Sequence, residues 1–212
     1  MASLTDLYND KDLSKKYSEY AEKCKESFNN KFYNKKKKSL YDVLGDDKVR
    51  PNQLFALSLT YPIIDPASDL ANEIFNTITK KLLLPKGLRT LAPDEENYVG
   101  IYKGGVYERD TSYHQGITWP WLLGLYFDSF VNIVNAEKDE KKKARLKKAY
   151  NKFIDEVEEI FENEFYYSDC VVGSISELYD SEEPYVAKGS PAQAWSVAEV
   201  FRIIFQGKDK LK

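Results

Sequence analysis

The chain has 212 residues, enough for one large domain or two small ones with a sizeable core. Its net charge of −3 excludes a global basic field for nucleic acid, and the run Lys35–Lys38 reads as a solvated loop. No apolar run approaches membrane-spanning length, and the opening MASLTDLYND lacks the basic and apolar blocks of a signal peptide.

A cytoplasmic protein without nucleic-acid or membrane partners is therefore expected. Cys24 and Cys170 are too few for a disulfide framework and point to a reducing compartment, each thiol packed rather than reactive. The composition is unusual in its rings, 16 Tyr, 11 Phe and 3 Trp. Aromatic faces fill cores and also stack on the C–H faces of sugars, so the surplus hints weakly at carbohydrate.

Two kinds of helical segment alternate along the chain. Residues 5–30 carry an amphipathic stripe through Leu7, Leu13, Tyr17, Tyr20, Ala21, Cys24 and Phe28. Residues 51–60 are mostly apolar, carry no charge, and open on Pro51, which a helix start tolerates. Residues 67–83 return to an amphipathic stripe through Leu70, Ile74, Ile78 and Leu82. Residues 117–134 are apolar nearly all round, with Asp128 their only charge. Residues 139–163 are heavily charged, with Leu146, Ala149, Phe153, Val157 and Ile160 at helical spacing, and residues 191–205 open on Pro191 and are again dominantly apolar.

A helix with one apolar face buries that face, whereas a helix apolar on most sides has to be surrounded. Strict alternation of the two predicts an all-α chain of helical hairpins in two layers, amphipathic helices outside and apolar ones inside. In a simple bundle every helix would be amphipathic. No segment alternates like a strand over six or more residues, although short strands within loops stay open.

Connections leading into the inner helices are long, at residues 31–50, 84–115 and 164–190, and those leading out are short, at 61–66 and 135–138. The long ones must share one face, at the N-terminal ends of the inner helices. Structureless loops of that length in a compact domain are usually functional, so a site is expected there. Both later loops mix rings with hydrogen-bonding groups, as a neutral, hydroxyl-rich ligand requires.

Five segments carry a resemblance: RPNQLFALSLTYPII (50–64), GLRTLAP (87–93), YHQGITWPWLLG (113–124), SISELYD (174–180) and AQAWSVAEV (192–200). Together, and in this order, they resemble the bacterial and archaeal glycogen debranching enzymes, at the C-terminal end of the amylo-α-1,6-glucosidase catalytic domain. The resemblance implies an (α/α)6 toroid of six hairpins with its site at the inner-helix N-termini. Three hairpins are counted here, so residues 1–212 look like a single unit making up about the last half of that toroid. It also implies a glycoside hydrolase acting with inversion on the branch points of glycogen or limit dextrin in glycogen catabolism, with no cofactor and no metal.

Such hydrolysis needs one carboxyl group to protonate the departing oxygen and another to activate water on the opposite face. By resemblance Glu177 matches the base; on its own it would read as a solvent-facing loop glutamate. The acid is expected from a missing upstream half, which leaves the isolated chain inactive. Asp110 divides evenly between binding sugar hydroxyls and a salt bridge with Arg109 or Arg89. Arg89 divides likewise between a planar fork for hydroxyls and an ion pair. His114, without further His or Cys ligands, is read as a hydroxyl contact beside Gln115 rather than a metal ligand. Trp119 and Trp121 are two residues apart and point in different directions, so Trp119 is assigned to the pocket and Trp121 to the core. Gln193 is placed in the site and Trp195 is expected to be buried.

A half-toroid would expose the flanks of its inner helices, so pairing with the missing half or self-association is expected. Two other readings stay open: a noncatalytic α-glucan-binding or interaction module, and a glucoamylase-like (α/α)6 glycosidase.

Overall fold

Short polar side chains start the outer helices. Asp10 accepts a hydrogen bond from the Leu13 amide (3.0 Å) to open α2 (Lys11–Phe32). Ser68 does the same for α4 (Asp69–Lys81) from Ala71 (3.1 Å), and Asp139 for α7 (Glu140–Tyr167) from Lys142 (2.7 Å). Each cap satisfies an amide that the first turn leaves without a helical partner. The apolar helices α6 (Leu122–Ala136) and α8 (Ala194–Gly207) begin with no side-chain cap. These elements are taken from a computed structural model that describes residues 1–168 and 170–211.

Helix α6 occupies the centre. It packs against the short α3 (Phe55–Ser58) and α8 on either side and against α4 and α7 behind. Helix α6 is thus enclosed as its apolar sequence predicts, whereas α8, expected to be enclosed too, buries one face only and leaves Trp195 and Phe205 exposed. Rings fill the space between the layers: Phe75 of α4 stacks on Tyr126 of α6 at 4.6 Å, and Tyr126 meets Phe153 of α7 at 5.0 Å. Phe127, fully buried, alone contributes about 2–3 kcal/mol of hydrophobic stabilisation. The buried phenols find partners, Tyr126 with Thr79 (2.9 Å) and Tyr150 with the Gly207 carbonyl (2.8 Å). The first amphipathic segment is less settled against this core, since α2 buries only Ser14 and packs on α1 (Ala2–Leu7).

Several boundaries differ from the sequence reading, and proline accounts for two. Pro120 disfavours helical backbone at Trp119, so residues 117–120 do not begin α6, and Thr118–Trp119 form a strand instead. Pro191 likewise does not open α8, which starts at Ala194 after an extended Gln193. The 51–60 segment is a 3-10 turn (Pro51–Leu54) running into α3. Inside the 84–115 loop lies an additional helix, α5 (Val106–Ser112).

The largest addition is a belt of very short antiparallel strands. After the ribbon β1 (Tyr33–Asn34) and β2 (Ser39–Leu40) comes a five-stranded sheet of β3 (Leu83–Leu84), β4 (Gly87–Arg89), β5 (Thr118–Trp119), β6 (Leu178–Tyr179) and β7 (Ala187–Lys188), in that spatial order. Leu88 faces Trp119, Thr118 faces Tyr179, and Tyr179 faces Ala187. The belt joins the second and third long loops to the entry of α6. Gly87 makes the crossing possible: at φ +152° a Cβ there would stand 2.5 Å from the Trp119 carbonyl oxygen. An ion pair anchors the same turn to α7, Lys86 Nζ to the buried Glu164 at 2.6 Å.

The basic run is partly paired. Lys37 holds Glu95 and Lys38 holds Glu73, both at 2.9 Å, while Lys35 and Lys36 are exposed. Cys24 and Cys170 are both exposed free thiols, contrary to the packed positions expected of them, because α2 leaves most of its length open and Cys170 lies in an open loop.

Candidate active site

The N-terminal turns of the three inner elements converge. Arg50 and Pro51 at the 3-10 turn, Trp121 at the head of α6 and Trp195 in the first turn of α8 line a pocket of about 170 Å³, with Thr90, His114 and Trp119 among its other walls. All three tryptophans of the chain therefore border one cavity. Trp121 and Trp195 stack at 5.2 Å, and Trp119 meets Trp195 edge-on at 5.7 Å. Trp119 is buried, Trp121 half-buried, and Trp195, expected to be buried, is 44% exposed. Trp195 is the second residue of α8, which starts three residues after Pro191.

His114 stacks flat on Trp119 at 5.4 Å. Although the residue is exposed as a whole, its ring is partly withdrawn from water against the indole. That desolvation, followed by the Arg50 charge, holds its pKa below the ordinary histidine value. As the unfolded chain accepts the proton first, stability is present above the unfolded value and declines as pH falls from there through the folded one. With a single histidine in the chain, one NMR titration curve reads this directly, and its midpoint is expected below that of the urea-unfolded chain.

Glu177 lies just before β6. Its backbone amide donates to the Ser190 carbonyl (2.9 Å), which fixes the loop against its return strand. The side chain faces donors on both oxygens. Oε2 accepts from the Ser190 amide (2.8 Å), and Oε1 accepts from the Tyr113 hydroxyl and from Gln193 Nε2 (3.4 Å). Gly189 permits this approach: at φ +69° a Cβ there would come 2.4 Å from Oε2. A carboxylate has about four lone-pair positions, so three donors leave one open.

Tyr113 connects this carboxylate to the pocket. Its ring packs edge-on against Trp119 at 4.7 Å, and its carbonyl accepts from the Trp119 indole N–H at 3.2 Å. Burial first, and then the bond to Glu177, push the phenol well above its usual pKa, so it remains a donor.

The remaining expected residues are distributed around this cluster. Gln193 joins Glu177, and His114 and Trp119 join the pocket. Gln115 accepts from Arg50 (3.1 Å), whose other terminal nitrogen donates to the carbonyls of Thr90 (3.1 Å) and His114 (2.6 Å). Arg89 spends its fork on the Tyr98 hydroxyl (3.2 Å) and on the Lys81 and Ser181 carbonyls (both 3.4 Å), bracing the belt. Asp110 is exposed on α5 and forms no ion pair among the described residues; its charge is felt at Tyr113. Among the described residues no group of three His, Cys, Asp or Glu side chains could hold a metal ion.

A family model described as amylo-alpha-1,6-glucosidase matches residues 2–202, nearly the whole chain. The chain belongs to the amylo-alpha-1,6-glucosidase family. It is also 27% identical over 167 residues to the glycogen debranching enzyme of Saccharomyces cerevisiae (strain ATCC 204508 / S288c), an alignment covering 72% of this chain and 10% of that protein. The chain thus spans about a tenth of the length of that relative.

Within this amylo-alpha-1,6-glucosidase unit, each segment that carried the resemblance reaches the pocket, the belt or Glu177. Two participants were not singled out from the sequence, Arg50 and Tyr113. Each lies inside a quoted segment, but its role arises from contacts 64 or 65 residues away along the chain, which no local pattern reveals.

Proposed function

We propose that the chain is the C-terminal portion of an (α/α)6 catalytic domain of the bacterial and archaeal debranching type. It would hydrolyse α-1,6-glucosidic branch points of glycogen or limit dextrin with inversion, in the cytoplasm. The observation that carries this reading is Glu177: a carboxylate aimed by Tyr113, Gln193 and the Ser190 amide, with one acceptor position open, beside a tryptophan-lined pocket.

In an inverting mechanism the open position accepts the proton of a water as that water attacks the anomeric carbon. An acid on the other side protonates the departing oxygen, the two carboxyls standing about 6.5–9.5 Å apart. The side chains hydrogen-bonded to Glu177 are those of Tyr113 and Gln193, and we assign the acid to upstream sequence. The isolated chain is then inactive. Trp119, His114, Gln115 and Gln193 hold the glucosyl unit, with the free carboxylate of Asp110 and the remaining donors of Arg89 reaching outer hydroxyls. The remaining hairpins, or a second copy, cover the apolar edges that include Phe55, Leu59 and Tyr61 on one side and Phe205 on the other.

The test is the product. In a full-length debranching enzyme containing this domain, an oligoglucoside bearing a single 6-linked glucosyl stub is expected to release glucose that NMR first detects as the β-anomer. Initial release of α-glucose would overturn inversion, and turnover of linear maltooligosaccharides alone would favour the glucoamylase-like reading.

A further inference from the structure

Trp121 at the head of α6 precedes Asp128 by seven residues, and Trp195 on α8 precedes Arg202 by the same seven. The two indoles stack at 5.2 Å, and the two charges join at 2.8 Å. Helices α6 and α8 therefore run parallel in matched register, with these contacts about two turns, or roughly 10.5 Å, apart. We propose that Arg202 is a positioning residue. Its clamp on Asp128 and Glu199 fixes the level of α8 along α6, and with it Trp195 in the pocket wall and Gln193 against Glu177. The effect on catalysis rests on the reading of Glu177 as base; the register rests on the two helices alone.

The clamp uses every nitrogen of the guanidinium. Nη1 and Nη2 donate to the two oxygens of Asp128 at 2.8 and 2.9 Å, a bidentate fork between the helices. Nε and Nη2 donate to Glu199 at 2.9 and 2.6 Å, and Nη2 also meets the Gly124 carbonyl at 3.3 Å. The group lies over the Phe127 ring, 5.2 Å from its centre. Trp195, Glu199 and Arg202 stand at i, i+4 and i+7, one stripe of α8, and Trp121, Gly124 and Asp128 form the stripe it faces. Gly124 leaves the room: a Cβ there would collide with the Glu199 carboxylate.

Such a network contributes position more than stability. The three side chains are between 27% and 35% exposed, so water screens much of their attraction. Apolar contact is non-directional, whereas a planar fork on a carboxylate is satisfied in one geometry. What that geometry protects lies at the N-terminal end of α8. The Gln193 amide donates to the Ile175 carbonyl at 3.0 Å, and its side chain reaches Glu177 at 3.4 Å, near the limit of a hydrogen bond. A slide of one residue away from Glu177, about 1.5 Å, breaks that contact and unseats the indole stack.

Two measurements test the proposal. The 212-residue chain has three tryptophans and so three indole N–H signals in NMR, of which Trp195→Phe identifies one by its loss. In Arg202→Met the Trp121 and Trp195 signals are expected to shift as their stack loosens, while Tm falls by about 4 °C or less. Arg202→Lys, which keeps the charge and loses the fork, should shift them as well, and it serves if the methionine variant does not fold. In a full-length debranching enzyme containing this domain, Arg202→Met and Asp128→Asn should each lower kcat by about 10–10²-fold at temperatures where the enzyme is folded, the scale of an ångström of misplacement.

Unmoved indole signals in folded Arg202→Met and Arg202→Lys chains would overturn the clamp. Shifted signals with unchanged kcat would confine its effect to the helices and overturn its role at Glu177. A loss of activity that follows a large fall in Tm would make Arg202 a structural residue only, and overturn the positioning role. If the signals shift but the unsubstituted full-length enzyme cleaves no α-1,6 bond, the reading of Glu177 as base fails and the register stands.

Discussion

On the function proposed above, Glu177→Gln in a full-length debranching enzyme containing this domain is expected to lower the rate of glucose release from an α-1,6 branch by about 10²–10⁴-fold, the range attributed to a positioned general base. The substitution preserves size and removes the proton acceptor. It also turns one contact against itself. If the amide oxygen replaces Oε1 beside Tyr113 and Gln193, the amide nitrogen meets the Ser190 N–H across the 2.8 Å now spanned by Oε2. Two donors then face each other, and the side chain has to turn away from the position in which it would orient water. The loss should fall on kcat with KM nearly unchanged, as for an interaction made in the transition state. Steady-state rates on the 6-linked stub check this, and activity within tenfold of the parent would remove Glu177 from the base role.

Glu164→Ala is expected to produce the largest loss of stability, about 2–4 kcal/mol. The carboxylate is buried near the C-terminal end of α7 and accepts from Lys86 Nζ (2.6 Å), Tyr179 Oη (2.9 Å) and Ser168 Oγ (3.2 Å). Removing it takes the carboxylate acceptor from the buried Tyr179 hydroxyl and leaves a lysine over the Tyr179 ring, at 4.7 Å, without its counter-charge. Lys86 is 21% exposed on its side chain and can turn towards water, which keeps the cost below that of a fully enclosed pair. For a chain of this size the loss corresponds to a fall of roughly 5–15 °C in Tm, measurable by calorimetry. An unchanged Tm would show that the contact holds nothing together.

The parts of the fold that sequence disclosed are those with a repeating physical signature. Helices α4 and α7 bury residues at steps of three or four and begin at Ser68 and Asp139, so pattern and cap agree. Helix α6 was visible because it is apolar on nearly every side, and its true start was not, because the pattern runs through Trp119 without registering what Pro120 does to it. Helix α5 has seven residues of which only Ser112 is buried, so it leaves no apolar stripe. Strands of two or three residues cannot display alternation at all. The site shows the same division. Glu177, His114, Trp119 and Gln193 drew attention through their segments and lie in or beside the candidate cluster, whereas Arg50 and Tyr113 enter it through partners brought close only by folding. Trp195 was misplaced because an indole near the start of an apolar helix ordinarily packs inward.

The belt of short strands has a consequence for how such a site can change over evolutionary time. Register at the crossing points is set by a handful of residue pairs, Leu88 with Trp119 and Thr118 with Tyr179 among them, while the chain between crossings carries no part of that register. Lengthening a flexible surface excursion costs little, about 0.6 kcal/mol for each doubling. Insertions among the exposed residues 103–110 or 182–184 can therefore reshape the surrounding loops without disturbing the contacts that hold Glu177. Changes of length are expected in those spans and not at the rungs.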